Sequence, residues 1–249
     1  MSDDLFPNAV RGLTWTIART PEFNTIVQTS PSFVETAIIQ AQNPRRRWEL
    51  KYDYIKDYDV QSALTPYTDF ATLEAFFLSH YGQGVNFLFQ DIWTPDYYQY
   101  PALSAPATPN LACQLQLVQD ANTSIWYSPV QLKRGGTWYE DVDWVNTTDR
   151  SLYLYDNGVS VPIGPPSGSN AQLLGPGLAI SGYSFAGMYF KWHYTPTGPI
   201  TAQFHYNWRV KFDEDQQSFE KFMNALWTAG DRGGASIKLR SARAYAGAA

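Results

Sequence analysis

Hydrophobic and polar residues alternate strictly along residues 204–213. Phe204, Tyr206, Trp208, Val210 and Phe212 share one parity, and His205, Asn207, Arg209, Lys211 and Asp213 share the other. Period two over this length predicts an antiparallel strand with one face buried. Trp48, Leu50, Tyr52 and Tyr54 repeat the pattern against Glu49, Lys51 and Asp53, and both segments contain the hexapeptide W-x-apolar-K-aromatic-D. After each strand the period becomes helical. Leu73, Phe76, Phe77 and Tyr81 match Phe219, Phe222, Met223 and Trp227 at i, i+3, i+4 and i+8, one face of a helix. Thr68 or Asp69 is placed to cap the first helix and Asp215 the second, with Gly82 and Gly230 placed to end them. Short apolar strands at 85–89 and 236–240 follow, each led by paired glycines, Gly82/Gly84 and Gly233/Gly234.

The two units read either as a duplication or as two chance strand-helix-strand segments; the shared hexapeptide favours duplication. Trp48 precedes Trp208 by 160 residues but Leu73 precedes Phe219 by 146, which leaves the first copy with 14 extra residues between strand and helix. A polar loop over residues 54–66 is expected to hold them. Upstream, Leu13 to Ile17 and Phe33 to Ile39 read as short strands, broken by Pro21 and Pro31, that are expected to complete the sheet of the first repeat strand.

Between the copies the pattern changes. Residues 91–109 set Trp93, Tyr97, Tyr98 and Tyr100 among Pro95, Pro101, Pro106 and Pro109, a conformationally restricted linker. Residues 111–195 then predict a run of short strands at 111–117, 124–132, 152–155, 159–161, 178–180 and 188–194. A turn is expected at Gly135-Gly136, a hairpin at Asn157-Gly158, and a long mobile loop at 162–176. The fold class expected is mainly β with an α+β core carrying one or two short helices. The core comprises residues 1–104 and 200–249, and residues 105–199 form an inserted all-β domain.

Composition narrows the function classes. Over 249 residues, aromatics reach 16% while charged residues are also only 16%, against roughly 25% in average domains. Tyr and Trp in such numbers suit β structure and extensive partner contact. A net charge of −5 argues against bulk nucleic-acid binding, which needs clustered positive charge. The one basic cluster, Arg45-Arg46-Arg47, reads as a solvated or intersubunit patch. The single Cys113 excludes an intramolecular disulfide framework and reads as a small buried hydrophobe. No 18-residue apolar run and no apolar leader segment occur, so no membrane segment is expected and synthesis in a cytoplasm is.

Candidate chemistry is sparse. His80, His193 and His205 are scattered, and neither a phosphate-binding loop nor a zinc-protease motif occurs. Gly182-Tyr183-Ser184-Phe185-Ala186 approaches a nucleophile elbow but lacks the last glycine. Asp213-Glu214-Asp215 reads as a helix start rather than a metal site. Asp141 and Asp143, with Trp138, Tyr139 and Trp144 around them, form the one constellation worth following. On one strand face their Cα atoms would lie about 7 Å apart, and the reading divides between a glycan-contacting platform and acids exposed at a turn. Trp126 and Tyr153 join Trp138, Tyr139 and Trp144 as aromatics for a sugar face, against a reading of all five as core. No catalytic residue, cofactor site or metal site is assigned.

The ordered pieces then form a recognisable series. Leu5-Phe6-Pro7 stands near the start and Arg47-Trp48 opens the first repeat. Phe76-Phe77-Leu78-Ser79-His80-Tyr81-Gly82 and Phe87-Leu88-Phe89-Gln90-Asp91 follow, and Val210-Lys211-Phe212-Asp213-Glu214-Asp215 stands near the end. This order resembles the distal tail proteins of long-tailed bacteriophages and gene transfer agents, over roughly residues 5–100 and 200–243. The resemblance implies a tail-tube-like β-sandwich forming a ring, usually a hexamer. Such a ring joins the tail tube and tape-measure protein to the baseplate hub in the virion tail, and DNA only passes through its lumen. It implies no catalytic residues. The alternative is a tail component that binds a host surface glycan or receptor through the inserted domain.

Overall fold

The computed structural model of the chain describes residues 4–7, 13–40, 44–56, 68–91, 113–134, 138–147, 152–175, 178–180, 183–185, 187–223, 226–229 and 236–242. Among the described residues strands predominate and there is one α-helix, so the fold is mainly β. By compactness the chain divides into two units, Met1–Leu88 with Val210–Ala242, and Phe89–Arg209 with Arg243–Ala249. Expected features at 57–67, 92–112 and 135–137, and at Gly230, Gly233 and Gly234, lie outside the described residues.

In the first unit the strand Arg45–Tyr52 runs between Leu13–Glu22 and Ser236–Ser241, and residues 210–212 pair with the other side of Ser236–Ser241. Alternation decides which side chains go inside. Trp48, Leu50 and Tyr52 are buried while Arg47 is exposed and Glu49 and Lys51 are half-buried. Tyr54, expected on the same face, lies beyond the strand end at Tyr52 and is exposed. Pro21 does not break the first strand as expected. It pairs opposite Arg46 on an outer strand of the sheet, where a missing N–H costs no ladder bond.

The basic triplet is likewise not three solvated arginines. Arg46 is buried and its backbone N–H donates to Ser241 Oγ at 2.9 Å. Arg47 pairs with Glu22 at 3.1 Å and lies 3.7 Å from Asp213.

The helix Asp69–Ser79 forms as expected and starts at Thr68, whose side chain makes no cap bond; its carbonyl accepts from Thr72 N and Oγ1 instead. Tyr81 and Gly82 take left-handed backbone angles just past its end, so Tyr81 leaves the apolar face and is exposed. Leu73 is buried, and Phe76 and Phe77 meet the Phe212 ring edgewise at centroid distances of 6.2 and 4.9 Å. Phe87 and Phe6 complete this aromatic cluster. The chain start is fixed there by reciprocal backbone bonds, Phe6 N to Leu88 O and Leu88 N to Asp4 O, each 2.8 Å.

The second helix does not exist. Residues Phe219–Met223 and Leu226–Ala229 form a hairpin, and Leu226–Trp227 pairs further with Ile55–Lys56. The spacing of Phe219 and Trp227 fits a helix or a hairpin, and tertiary partners decide. Phe70 stacks on Trp227 at 4.2 Å and meets Phe219 edge-on at 5.3 Å, while the Ile55 strand supplies a ladder no helix could use. Asp215 consequently caps nothing; its Oδ1 accepts from Gln83 N at 3.0 Å. The likeness of the two copies therefore fails at the helix, and Ile55–Lys56, within the stretch expected as a polar loop, pairs with the hairpin that stands in the second copy.

Tyr52 makes this unit sensitive to alkali. Burial pushes its phenol well above the ordinary value, so the folded state holds it neutral. A raised folded pKa contributes stability that is complete below the unfolded value of about 10 and is lost as pH rises above it. Urea midpoints measured from pH 8 upward should fall beyond about pH 10, and the fall should be shallower in Tyr52→Phe.

The second unit contains two four-stranded sheets. One is ordered Val159–Val161, Tyr153–Asp156, Ile200–Gln203, Cys113–Leu115; the other Ala171–Leu174, Tyr189–Trp192, Trp126–Pro129, Val118–Gln119. The expected hairpin is present, with Asn157 and Gly158 both at positive φ, the left-handed pair that a two-residue turn requires. The segment expected as a loop over 162–176 instead contains the strand Ala171–Leu174, and Asn170 ties it down through Ser167 N and Pro165 O. The alternation at 204–212 differs from expectation as well. His205, Asn207 and Arg209 are buried along with Phe204, Tyr206 and Trp208, so this strand is covered on both faces.

Candidate functional site

The constellation singled out in the sequence lies on and beside a two-stranded hairpin, with both its acids buried. Strand Trp138–Asp141 pairs with Gln131–Arg134 and ends at Asp141; Asp143 sits in a bend before the short strand Trp144–Val145. Asp141 and Asp143 therefore do not share one regular strand face. Nor are they exposed turn acids, because both are buried, as is their neighbour Glu140. Asp141 accepts from Gln131 Nε2 at 2.8 Å and Asp143 from the Arg209 backbone N–H at 3.3 Å. Buried carboxylates need such donors to remain in a folded interior.

Tyr139 and Trp144 are half-buried, and the Arg209 guanidinium lies 5.6 Å from the Trp144 ring centre, a cation–π distance. The side chains of Trp138 and Cys113 lie outside the described residues. Tyr153 and Trp126 are half-buried at the ends of their strands. Among the described residues no group of three His, Cys, Asp or Glu side chains is arranged to hold a metal, and no helix is long and apolar enough to cross a membrane.

A different surface in the first unit stands out. Thr25–Thr29 and Glu35–Ile39 form a two-stranded sheet in which all ten residues are exposed. Seven of the twelve large exposed hydrophobic side chains among the described residues lie between Phe23 and Ile39, which makes this a concentrated patch and not the usual scatter. Register distributes them over both faces. Ile26 and Ile38 pair on one face, and Val27 and Ala37 pair with Ile39 nearby on the other. The base is closed by Asn24 Nδ2 donating to Gln40 Oε1 at 2.6 Å, and Ser30 organises the tip through Val34 N and Phe33 N.

Phe33 occupies that tip at φ 60° with 89% of its surface exposed. A bulky residue in left-handed backbone is unfavourable by about 1–2 kcal/mol, and here it presents an aromatic ring to solvent. An isolated two-stranded ribbon is marginal in water. Two apolar faces and two free edges give this one every physical reason to pair with another chain. The sequence carried the signal in Ile26-Val27 and Ile38-Ile39, adjacent apolar residues that no one-sided strand can bury. Residues 33–39 were expected as a strand in the sheet of Trp48; the strand Glu35–Ile39 forms but pairs instead with Thr25–Thr29, which the alternation did not single out.

No family model matches the sequence, and no curated protein matches it.

Proposed function

We propose that the chain is a structural virion protein that assembles into a ring at the distal end of a phage tail. There it joins the tail tube and tape-measure protein to the baseplate hub. The observation that carries this reading is the exposed apolar hairpin of residues 25–39, whose two strands pair with each other and with no further strand among the described residues. A closed ring satisfies such an edge by repeating one heterologous contact until it meets itself. The order of sequence elements it shares with distal tail proteins supports the identity of the ring, which in that family is usually a hexamer. The hairpin has a single charged residue, Glu35, so apolar burial and backbone pairing would dominate the contact.

Placing Lys at Ile38 and Ile39 puts one charge on each face of the ribbon. Because both side chains are exposed, the substitutions should change subunit stability by no more than about 0.5 kcal/mol. Assembly should be lost. Light scattering behind size-exclusion chromatography at high protein concentration is the measurement, with the wild type forming a multimer and the double variant a monomer. A variant that assembles as the wild type does would remove the hairpin from the account.

A further inference from the structure

The polar face of the first unit's main sheet concentrates positive charge, in a chain whose formal charge is −5. Arg45, Arg47 and Lys51 alternate with the buried Arg46, Trp48, Leu50 and Tyr52, so they share one strand face. Register places Arg240 opposite Arg47, Lys211 opposite Arg240 and Lys238 opposite Glu49, all on that face. These six are a third of the chain's 18 Lys and Arg residues, gathered on one side of three adjacent strands.

Arg47, Arg240 and Lys211 form a row of cations directly opposite one another, an arrangement that is destabilising in itself. Nearby groups answer part of it. Glu22 pairs with Arg47 Nε at 3.1 Å, and Asp213 lies 3.7 Å from Arg47 and 3.5 Å from Arg240. Arg240 Nη2 also donates to Gln83 Oε1 at 2.6 Å. Among the described residues no carboxylate reaches Arg45 or Lys211 at ion-pair distance. The Lys211 ammonium is held below its ordinary value, by burial first and then by Arg240 and Arg45, against the opposing Asp215 and Asp213. Cations outweigh acids at this end of the sheet.

We propose that this face docks an extended acidic segment of a partner polypeptide, with carboxylates at every second residue received by Arg45, Lys211 and their row. Residues i and i+2 of a strand lie about 7 Å apart. An extended peptide repeats its side chains at the same interval, so alternate acids match Arg45 and Arg47 along their strand. Nucleic acid suits the face less well. Glu22, Glu49 and Asp213 interrupt the cations, whereas a phosphodiester chain carries a negative charge at every nucleotide. The rings that could stack bases, Trp48, Tyr52 and Phe212, belong to the opposite, buried face. The surface shares no residue with the hairpin of residues 25–39, so the inference does not depend on ring assembly.

Fluorescence anisotropy on the full chain at low salt tests the assignment, with short labelled probes of alternating Glu-Ser, alternating Lys-Ser and oligothymidylate. The Glu-Ser peptide should bind and the Lys-Ser peptide should not, and salt at about 0.15 M should weaken the binding. Arg45→Gln with Lys211→Gln should weaken it by about fivefold or more. Lys191→Glu, which shifts the net charge equally but lies in the second unit, should bind like the wild type. The double substitution relieves like-charge crowding, so its melting temperature should be unchanged or raised. Arg45→Gln alone, at an exposed position, should show part of the loss even if the double variant fails to fold. No binding of the Glu-Ser peptide overturns the proposal. So does an equal loss in Lys191→Glu, binding that survives loss of both cations, or tighter binding of oligothymidylate than of the peptide.

Discussion

Trp48→Ala should destabilise the first unit by about 3–5 kcal/mol, the range for deleting a buried large aromatic. Trp48 is 1% exposed and sits mid-strand between Arg19 and Leu239, so ordered strands flank it on both sides and little collapse into the cavity is available. Against a typical domain stability of 5–15 kcal/mol, the loss is a large fraction of the total. Urea unfolding followed by circular dichroism should show a lower midpoint with an unchanged slope, the sign of lost stability and not of an altered unfolded state. An exposed aromatic gives the contrast. Phe33→Ala should move the midpoint by no more than about 0.5 kcal/mol, although Phe33 is the more prominent residue on the surface.

Gly187→Ala should be the most damaging single-methyl change in the second unit. A Cβ at this position would fall inside contact distance of the Val142 carbonyl oxygen, with Val142 N only 3.1 Å away. These are backbone atoms, and they are tied down. Val142 N donates to Val130 O, Val130 N to Met188 O and Met188 N to Val142 O, at 2.9, 2.9 and 3.0 Å. This closed triangle joins three chain segments and cannot yield to a methyl without breaking bonds. Replacing glycine by alanine gains about 0.4–1 kcal/mol through the unfolded chain, whereas overpacking of this kind costs about 3 kcal/mol. The clash wins. Thermal unfolding should show the loss, and an equal or higher melting temperature in Gly187→Ala would show that the three segments are not locked together.

Local pattern and tertiary context divided the legible from the illegible. Strands with one buried face were readable because alternation is a local signal, as in Trp48, Leu50 and Tyr52. The turn at Asn157-Gly158 was readable because its chemistry is local too. The segment 215–230 was not, since its helical spacing is overruled by partners remote in sequence, Ile55 and Phe70. The same holds for Asp141 and Asp143. What removes them from the surface is Gln131 and the Arg209 backbone, and no pattern in 138–144 encodes that.

One strand of the exposed hairpin, Glu35–Ile39, was legible, but its partner Thr25–Thr29 and its exposure were not, for a further reason. Sequence periodicity searches for a face to bury within the chain, and residues 25–39 have no such face. An apolar ribbon left in solvent is best covered by another molecule, and the proposed ring would supply one.

The most direct test is to image the protein. If the proposed function holds, negative-stain microscopy of the full chain mixed with tail-tube and hub proteins encoded alongside it should show closed rings, and the Ile38→Lys, Ile39→Lys variant should show none. Wild-type protein that remains monomeric with both partners present would contradict the account.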